Sequence, residues 1–285
     1  MLKDAHIYRR IIMPITLAAL LLFAFAPAAF ATSSSSNQPD WHVRLKQHYL
    51  ALGNSLAFGF QPNGDFNHGY VVDLFNKLHE EGVKDLTNYG CPGETSITFI
   101  KGGCPFAPPH TPSQLTAAVA FLLANAGKVS PVTLDIGAND VLGDTDPRTC
   151  TVNVTGFNAD LATLDANLKQ VILPQLKAAL EVNGRVTGNI VMMNYYDPLQ
   201  NICPNSVKFT KTLNKHLAAD VKGFGSIVDV FRAFGGAKTP NPHICTYTWI
   251  CTPPSSPVCV FPCPDIHPMN LGYSVIADTI EDAIL

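Results

Sequence analysis

Short apolar runs alternate with longer amphipathic runs along most of the chain. The short runs predict strands over residues 48–53, 85–89, 132–136, 189–194 and 226–231. The longer runs predict helices over residues 70–81, 113–126, 157–182, 205–222 and 270–284. Pro174 lies inside the third helical run, where its missing N–H predicts a kink or a split.

This alternation predicts an α/β domain built on a parallel sheet. Parallel neighbours need crossover connections, and right-handed crossovers cover both faces of the sheet with helices. The expected fold is therefore a three-layer α/β/α, doubly wound domain with five strands. Ligands bind such sheets beyond the carboxyl ends of the strands, so residues that directly follow a strand are the candidates for function.

The first 40 residues predict processing signals rather than fold. Lys3, Arg9 and Arg10 precede an apolar run over 11–25, and Ala29-Phe30-Ala31 offers a cleavage site. We expect a signal peptide at 1–31 and a disordered, Ser-rich leader at 32–40. A retained membrane anchor is the alternative. Removal of 31 of the 285 residues leaves 254, enough for one domain over 41–285.

Charge and the predicted export limit the partners. The sequence carries 19 Lys and Arg against 22 Asp and Glu, so it has no basic field to attract nucleic acid or anionic lipid. A neutral or lipophilic small molecule fits better. We expect a secreted monomer that keeps no membrane anchor once the signal is cleaved.

Eight cysteines in an exported chain predict disulfides. The expected pairs are Cys91 with Cys104, Cys150 with Cys203, Cys251 with Cys259, and Cys245 with Cys263. A structural zinc site on the last four cysteines is the alternative. It is disfavoured because they lack the paired short spacings that such sites use.

Ser55 stands in a tight turn, Gly53-Asn54-Ser55-Leu56, directly after the first predicted strand. A turn at that place can expose a hydroxyl, although a helix cap or a plain turn is the more usual role of such a pair. A serine hydroxyl becomes a good nucleophile only when a base takes its proton. His267 lies before the last helix in Pro264-Asp265-Ile266-His267-Pro268, and Asp265 could hold its imidazole in the required tautomer.

Two further strand ends offer donors for a developing oxyanion. Gly93 follows the second strand, where its missing side chain lets a substrate approach the backbone N–H. Asn139 follows the third strand in Gly137-Ala138-Asn139-Asp140, and its amide can donate a hydrogen bond. Taken alone, the last stretch also fits a turn or a helix cap.

Four stretches in this order resemble the SGNH hydrolases, also called the GDSL lipases and esterases. The resemblance runs from Tyr49 to Tyr273 through four blocks: Ala51-Leu52-Gly53-Asn54-Ser55-Leu56, Asn88-Tyr89-Gly90-Cys91-Pro92-Gly93-Glu94-Thr95, Gly137-Ala138-Asn139-Asp140, and Asp265-Ile266-His267-Pro268 with Gly272-Tyr273. It implies a flavodoxin-like sheet and no cofactor or metal. It also implies roles for the site residues: Ser55 as nucleophile, His267 as base, Asp265 as the partner of His267, and the Ser55 N–H, Gly93 and Asn139 as oxyanion donors.

The chain departs from the family pattern at two positions. Asn54 stands where the family usually has Asp, which removes a charge beside the nucleophile. The family's acid commonly stands three residues before the base, where this chain has Pro264, whereas Asp265 stands two before. Either the Asp265 carboxylate or a backbone carbonyl, such as that of Pro264, could therefore orient His267.

The expected function is that of a secreted serine hydrolase of carboxylic esters. Phenylalanines near the first two blocks favour acyl esters or lipids, unless they belong to the core: Phe58, Phe60, Phe66, Phe99 and Phe106. Deacetylation of a polysaccharide is a second enzymatic hypothesis, and a non-catalytic relative that only binds a ligand is a third.

Overall fold

The structure is a computed structural model that describes residues 44–104, 106 and 112–285. The predicted signal peptide at 1–31 and leader at 32–40 lie outside the described residues. So do residues 41–43 at the start of the predicted domain. The described residues belong to one unit, Asp40–Leu285.

Five parallel strands form the central sheet. They are β1 His48–Gly53, β2 Asp85–Asn88, β3 Val129–Asp135, β4 Ile190–Met193 and β5 Gly225–Val228. Their order is β2-β1-β3-β4-β5, and each neighbouring pair is parallel. This confirms the predicted three-layer, flavodoxin-like sheet.

Helices cover both faces of the sheet. They are α1 Ser55–Phe58, α2 Tyr70–Glu80, α3 Ser96–Lys101, α4 Gln114–Ala124, α5 Ala138–Val141, α6 Val154–Asn167, α7 Leu173–Ala179, α8 Ser206–Val221, α9 Val230–Ala233, α10 Pro242–Tyr247 and α11 Asn270–Ile284. Helix α2 packs against α11 in one layer, while α4 packs against α7 and α6 against α8 in the other. The chain reverses its winding between β1 and β3, so the ends of these two strands form the expected ligand crevice.

Three elements differ from the predicted ones. The last strand, predicted over 226–231, ends at Val228, and Val230 begins α9. The predicted helix over 157–182 is split into α6 and α7 by a π-helical turn, Leu168–Ile172. Pro174 lies in the first turn of α7, where its missing N–H costs nothing. Strand β3 begins at Val129 rather than at 132, and its register with β1 shifts around Pro131, which cannot donate a ladder hydrogen bond.

Four disulfides join all eight cysteines, and two of the four predicted pairs are wrong. Cys91–Cys104 and Cys150–Cys203 are confirmed. The expected nesting of Cys251 with Cys259 and of Cys245 with Cys263 is replaced by Cys245–Cys251 and Cys259–Cys263. Helix α10 and the 3-10 turn Trp249–Cys251 fold the chain back, so that the Cα atoms of Cys245 and Cys251 lie 5.2 Å apart. With every sulfur bonded, these cysteines offer no thiolate to a zinc ion.

Two short antiparallel ribbons lie outside the main sheet. One joins Thr145–Asp146 to Thr151–Val152, and the other joins Glu181–Val182 to Arg185–Val186. Among the described residues, no helix has the length and apolarity needed to cross a bilayer.

Candidate active site

Ser55 is the first residue of α1, directly after β1. The first N–H groups of a helix have no partner inside the helix, and here two of them are satisfied from outside. The Asn54 Oδ1 accepts from the Leu56 N–H at 3.0 Å, and the Asp135 Oδ2 accepts from the Ala57 N–H at 3.1 Å. The Ser55 N–H has no acceptor within the part of the chain that the structure describes. It therefore remains available to a ligand.

The Asp135 side chain binds this turn from the neighbouring strand β3. It is fully buried at the end of β3, and its carboxylate also accepts from the Tyr70 hydroxyl at 3.1 Å. Burial raises the pKa of Asp135 well above its usual value, although both hydrogen bonds oppose that shift. Gly53 adopts a φ of +140°, and a Cβ at this position would overlap the Asp135 side chain. Only glycine lets β1 and β3 approach this closely.

Gln114, at the start of α4, clamps the same turn through its side chain. Its Oε1 accepts from the Gly53 N–H at 2.6 Å, and its Nε2 donates to the Gly53 carbonyl at 3.0 Å. The same Nε2 lies 2.9 Å from Oε2 of Glu94 in the loop after β2. One buried amide therefore links the turn that carries Ser55 to the loop that carries Gly93.

His267 bridges Ser55 and Asp265. Its Nε2 lies 2.7 Å from the Ser55 Oγ, and its Nδ1 lies 2.7 Å from the Asp265 Oδ1. The same Oδ1 accepts from the His267 backbone N–H at 2.8 Å. If Nδ1 carries the proton toward Asp265, Nε2 is free to accept from the serine hydroxyl. The three groups thus form a continuous relay from hydroxyl to carboxylate.

Asn139 reaches the site from α5, after β3. Its Nδ2 donates to the Glu94 carbonyl at 2.9 Å. An amide nitrogen carries two hydrogens, so this bond fixes the orientation of the side chain and leaves one N–H for another acceptor. Gly93, with a φ of +84°, directly precedes Glu94 in this loop. The contact therefore joins the loops of the two predicted oxyanion donors.

An apolar cleft opens beside the serine and the histidine. Its lining includes Ser55, Asn139 and His267, but not Gly93. The far wall is built from the side chains of the segments around α5, α6 and α8: Val141, Leu142, Phe157, Leu199, Phe209 and Leu213. Such a cleft can hold an apolar group next to the serine hydroxyl.

Comparison with known proteins identifies the family. The model of the GDSL-like lipase/acylhydrolase family matches residues 51–275. The chain belongs to this family. No curated protein sequence matches it. Among solved structures, the lipase Lip_vut3 from a goat rumen metagenome is 17% identical over 84% of this chain and 97% of that one, with a TM-score of 0.58. The acetylxylan esterase Axe2 of Geobacillus stearothermophilus is 15% identical over 85% and 96%, with a TM-score of 0.51.

The structure shows what the residues at the two departures from the GDSL family pattern contact. Asn54 uses its Oδ1 to cap α1 and its Nδ2 to donate to the Tyr195 hydroxyl at 3.0 Å. Both contacts can be made by a neutral amide, so Asn54 needs no negative charge. The buried Asp135 carboxyl already binds the same turn through the Ala57 N–H. At the second departure, the Asp265 carboxylate and not the Pro264 carbonyl accepts from Nδ1 of His267.

The segment before the histidine loop lies beside the candidate site and is tied to it by backbone hydrogen bonds. Thr248 and Pro268 pair as an antiparallel bridge, and the Trp249 N–H donates to the His267 carbonyl at 3.0 Å. The chain between them projects as a Pro-rich tip. Val260 and Phe261 both donate their backbone N–H groups to the Pro62 carbonyl, at 2.7 and 2.8 Å. The tip therefore lies beside the loop that follows α1, which begins with Ser55.

Four of the five phenylalanines singled out in the sequence surround this side of the site. Phe58, Phe60, Phe66 and Phe106 pack edge to face or stacked on one another. The Phe60 ring lies 4.7 Å from the His267 imidazole. Phe99 is different, because it is fully buried in the core. The hypothesis that these residues belong to the core is correct for Phe99.

Several residues that build the site were not predicted from the sequence. Tyr195, Tyr196 and Asp197 follow β4 and line the cleft, so the strand-end rule could have found them. Burial raises the pKa of Asp197, which accepts from the Ser206 hydroxyl at 2.5 Å. A lone charge at the end of an apolar strand could have marked Asp135. Nothing in the sequence around Gln114 indicates its contact with Gly53.

Among the described residues, one cluster has the spacing of a metal site: Cys91, Glu94 and Cys104. The two cysteines are joined to each other, so their sulfurs are not thiolates and do not suit a metal ion.

Proposed function

We propose that this protein hydrolyses carboxylic esters through an acyl-enzyme on Ser55. The observation that carries the proposal is the relay in which His267 lies 2.7 Å from both the Ser55 Oγ and the Asp265 Oδ1. Membership of the GDSL-like family supports an esterase or lipase type of hydrolase. The relay supplies what a serine needs, a base within hydrogen-bonding distance and an acid that orients it.

In the first half-reaction, Nε2 of His267 takes the hydroxyl proton while the Ser55 Oγ bonds to the ester carbonyl carbon. The carbonyl oxygen becomes an oxyanion, which the Ser55 N–H, the Gly93 N–H and the free Asn139 N–H stabilise. The imidazolium then gives its proton to the leaving alkoxide, and the alcohol departs. Water repeats the sequence on the acyl-enzyme and releases the carboxylic acid. No step requires a metal or an organic cofactor.

An acyl ester or lipid fits this site better than an acetylated polysaccharide. The cleft beside Ser55 is lined largely by aliphatic and aromatic side chains. A longer acyl chain would cover that apolar surface, whereas an acetyl group would leave most of it exposed to water. A purely ligand-binding role fits less well, because the proposed nucleophile, base and acid lie in hydrogen-bonding distance of one another and Asn139 lines the same cleft.

The decisive experiment compares the wild type with Ser55→Ala on a soluble p-nitrophenyl ester. Loss of the nucleophile lowers kcat by at least about 10³-fold. Ser226→Ala, on β5 and outside the cleft, is the matched control and keeps full turnover. A fluorophosphonate probe labels the wild type and the control but not Ser55→Ala. Equal turnover by wild type and Ser55→Ala would refute the proposal.

The same site operates, in this proposal, in a secreted monomer with a signal peptide at 1–31, a leader at 32–40 and the hydrolase domain at 41–285. Four disulfides suit an oxidising compartment. N-terminal sequencing of the exported protein tests the cleavage after Ala31, and sedimentation velocity tests the monomer. Peptide mapping without reductant tests the four pairs.

A further inference from the structure

The end of the Pro-rich tip exposes large apolar side chains. Val258, Val260 and Phe261 are 53%, 74% and 37% exposed, and they lie within four consecutive positions. We name these three residues the apolar tip. Isolated exposed apolar residues are ordinary, but a cluster in one short loop indicates a surface that contacts something apolar.

The apolar tip cannot withdraw into the core. The Cys259–Cys263 disulfide closes its loop, and the backbone N–H groups of Val260 and Phe261 are held by the Pro62 carbonyl. The side chains are therefore presented outward by a constrained backbone. A partner that covers them gains apolar burial without first ordering the loop.

The segment that carries the apolar tip contains no charged residue. From residue 244 to residue 264 the sequence contains no Asp, Glu, Lys, Arg or His. Entry of this segment into an apolar phase therefore desolvates no ionised side chain of its own, and the desolvation of charge is the main cost of inserting protein into lipid. The absence of Lys and Arg also means that anionic headgroups are not what it recognises.

The apolar tip is continuous with the candidate active site. The Phe261 ring lies 5.4 Å from Phe60, and Phe60 lies 4.7 Å from the His267 imidazole. One aromatic ring thus separates the exposed cluster from the proposed base. Whatever the apolar tip contacts is therefore held close to the proposed base.

We propose that the apolar tip docks the protein on the surface of an uncharged or zwitterionic lipid aggregate, from which the ester enters the cleft. This deepens the proposed function by naming where the substrate resides. A second copy of the chain is a poorer occupant, because three side chains cover far less than the roughly 800 Å² per partner of a stable protein interface.

The test uses the Ser55→Ala protein, so that binding is measured without turnover, and phosphatidylcholine vesicles as the probe. We expect the protein to co-sediment with the vesicles. Val260→Asp in the same background weakens that partitioning at least tenfold, and Val258→Asp gives a second, independent reading. Leu123→Asp is the matched control, because Leu123 is 59% exposed on α4, away from the tip, and its change alters partitioning less than twofold.

In the background with Ser55 intact, Val260→Asp hydrolyses a soluble short-chain ester within twofold of the wild-type rate. Absence of vesicle binding, equal binding by Val260→Asp, or a dimer that Val260→Asp dissociates would each overturn the docking proposal. Failure of the wild type to hydrolyse the soluble ester would refute the proposed function instead. The two failures are therefore distinguishable.

Discussion

The Asp265 carboxylate holds His267 at two points, because the same Oδ1 accepts from the ring Nδ1 at 2.7 Å and from the backbone N–H at 2.8 Å. A side chain that bonds the N–H two residues later closes a tight Asx turn. That turn brings an acid two residues upstream within reach of the imidazole. An acid two residues before the histidine, rather than three, therefore still makes the contact with Nδ1.

Asp265→Asn tests whether this contact matters for the reaction. The amide can present its NH₂ group to Nδ1 and stabilise the wrong tautomer, so we expect kcat to fall by about 10²- to 10⁴-fold with little change in KM. Asp282→Asn, on the exposed end of α11, is the control and has no effect. Retention of most activity by Asp265→Asn would show that a backbone carbonyl suffices to orient the ring.

Asn139→Ala tests the oxyanion donor. We expect kcat to fall about 10²- to 10³-fold on the soluble ester while KM changes little, because the hydrogen bond strengthens as the oxyanion forms. Asn167→Ala is a demanding control, since it removes another amide hydrogen bond near the site, the one from Nδ2 to the Ser96 hydroxyl at 2.8 Å. Equal losses in the two variants would mean that Asn139 acts only through structure.

Gln114→Leu tests the clamp between the turn that carries Ser55 and the loop that carries Glu94. The substitution removes a buried amide and leaves the Gly53 N–H, the Gly53 carbonyl and a Glu94 oxygen without this partner. We expect the free energy of unfolding in urea to fall by about 3 to 5 kcal/mol. Gln170→Leu, at an exposed position of the π-helical turn, changes it by less than about 0.5 kcal/mol. A loss below about 1 kcal/mol for Gln114→Leu would contradict the clamp.

Asp220 makes stability depend on pH. Burial, and secondarily Asp165, raises its pKa from 3.8 to about 6, although Lys169 at 2.7 Å opposes the shift. The folded state therefore binds the proton more tightly than the unfolded state. Its contribution to stability is complete below about pH 4 and is lost as the pH rises through about 6.

Asp220→Asn removes this contribution. Urea unfolding at several pH values should show a decline between pH 4 and pH 6 that is smaller in Asp220→Asn than in the wild type by about 2 kcal/mol. Other carboxyls whose pKa values are raised by burial or partial burial, those of Asp135, Asp140 and Asp197, keep part of the decline in both proteins. Identical slopes in the two proteins would refute the role of Asp220.

Local patterns predicted the fold and the order of the site well, because each strand and each motif is written in consecutive residues. The run from His48 to Gly53 is a strand with those bounds, and Ser55 follows it. Such local patterns could not predict contacts between segments that are distant in the sequence. Gln114 reaches Gly53 from 61 positions away, and nothing around it in the sequence marks that contact.

The cysteine pairs also divide into pairs that local sequence could predict and pairs that depend on tertiary packing. Cys91 and Cys104 flank one loop and could be paired from the sequence, whereas the last four allow several close pairings. Their choice depends on how α10 turns the chain at Cys245, which is a matter of tertiary packing.

Backbone atoms, rather than side chains, tie Thr248 and Trp249 to the loop that carries His267. Such pairing is indifferent to amino-acid identity, so residues 252–263 can change in length or chemistry while the imidazole keeps its place. The tip can thus be exchanged while the backbone pairing at its base stays the same. A library that randomises residues 252–263 should change which surfaces or esters the protein binds, while Ser55, Asp265 and His267 keep their positions.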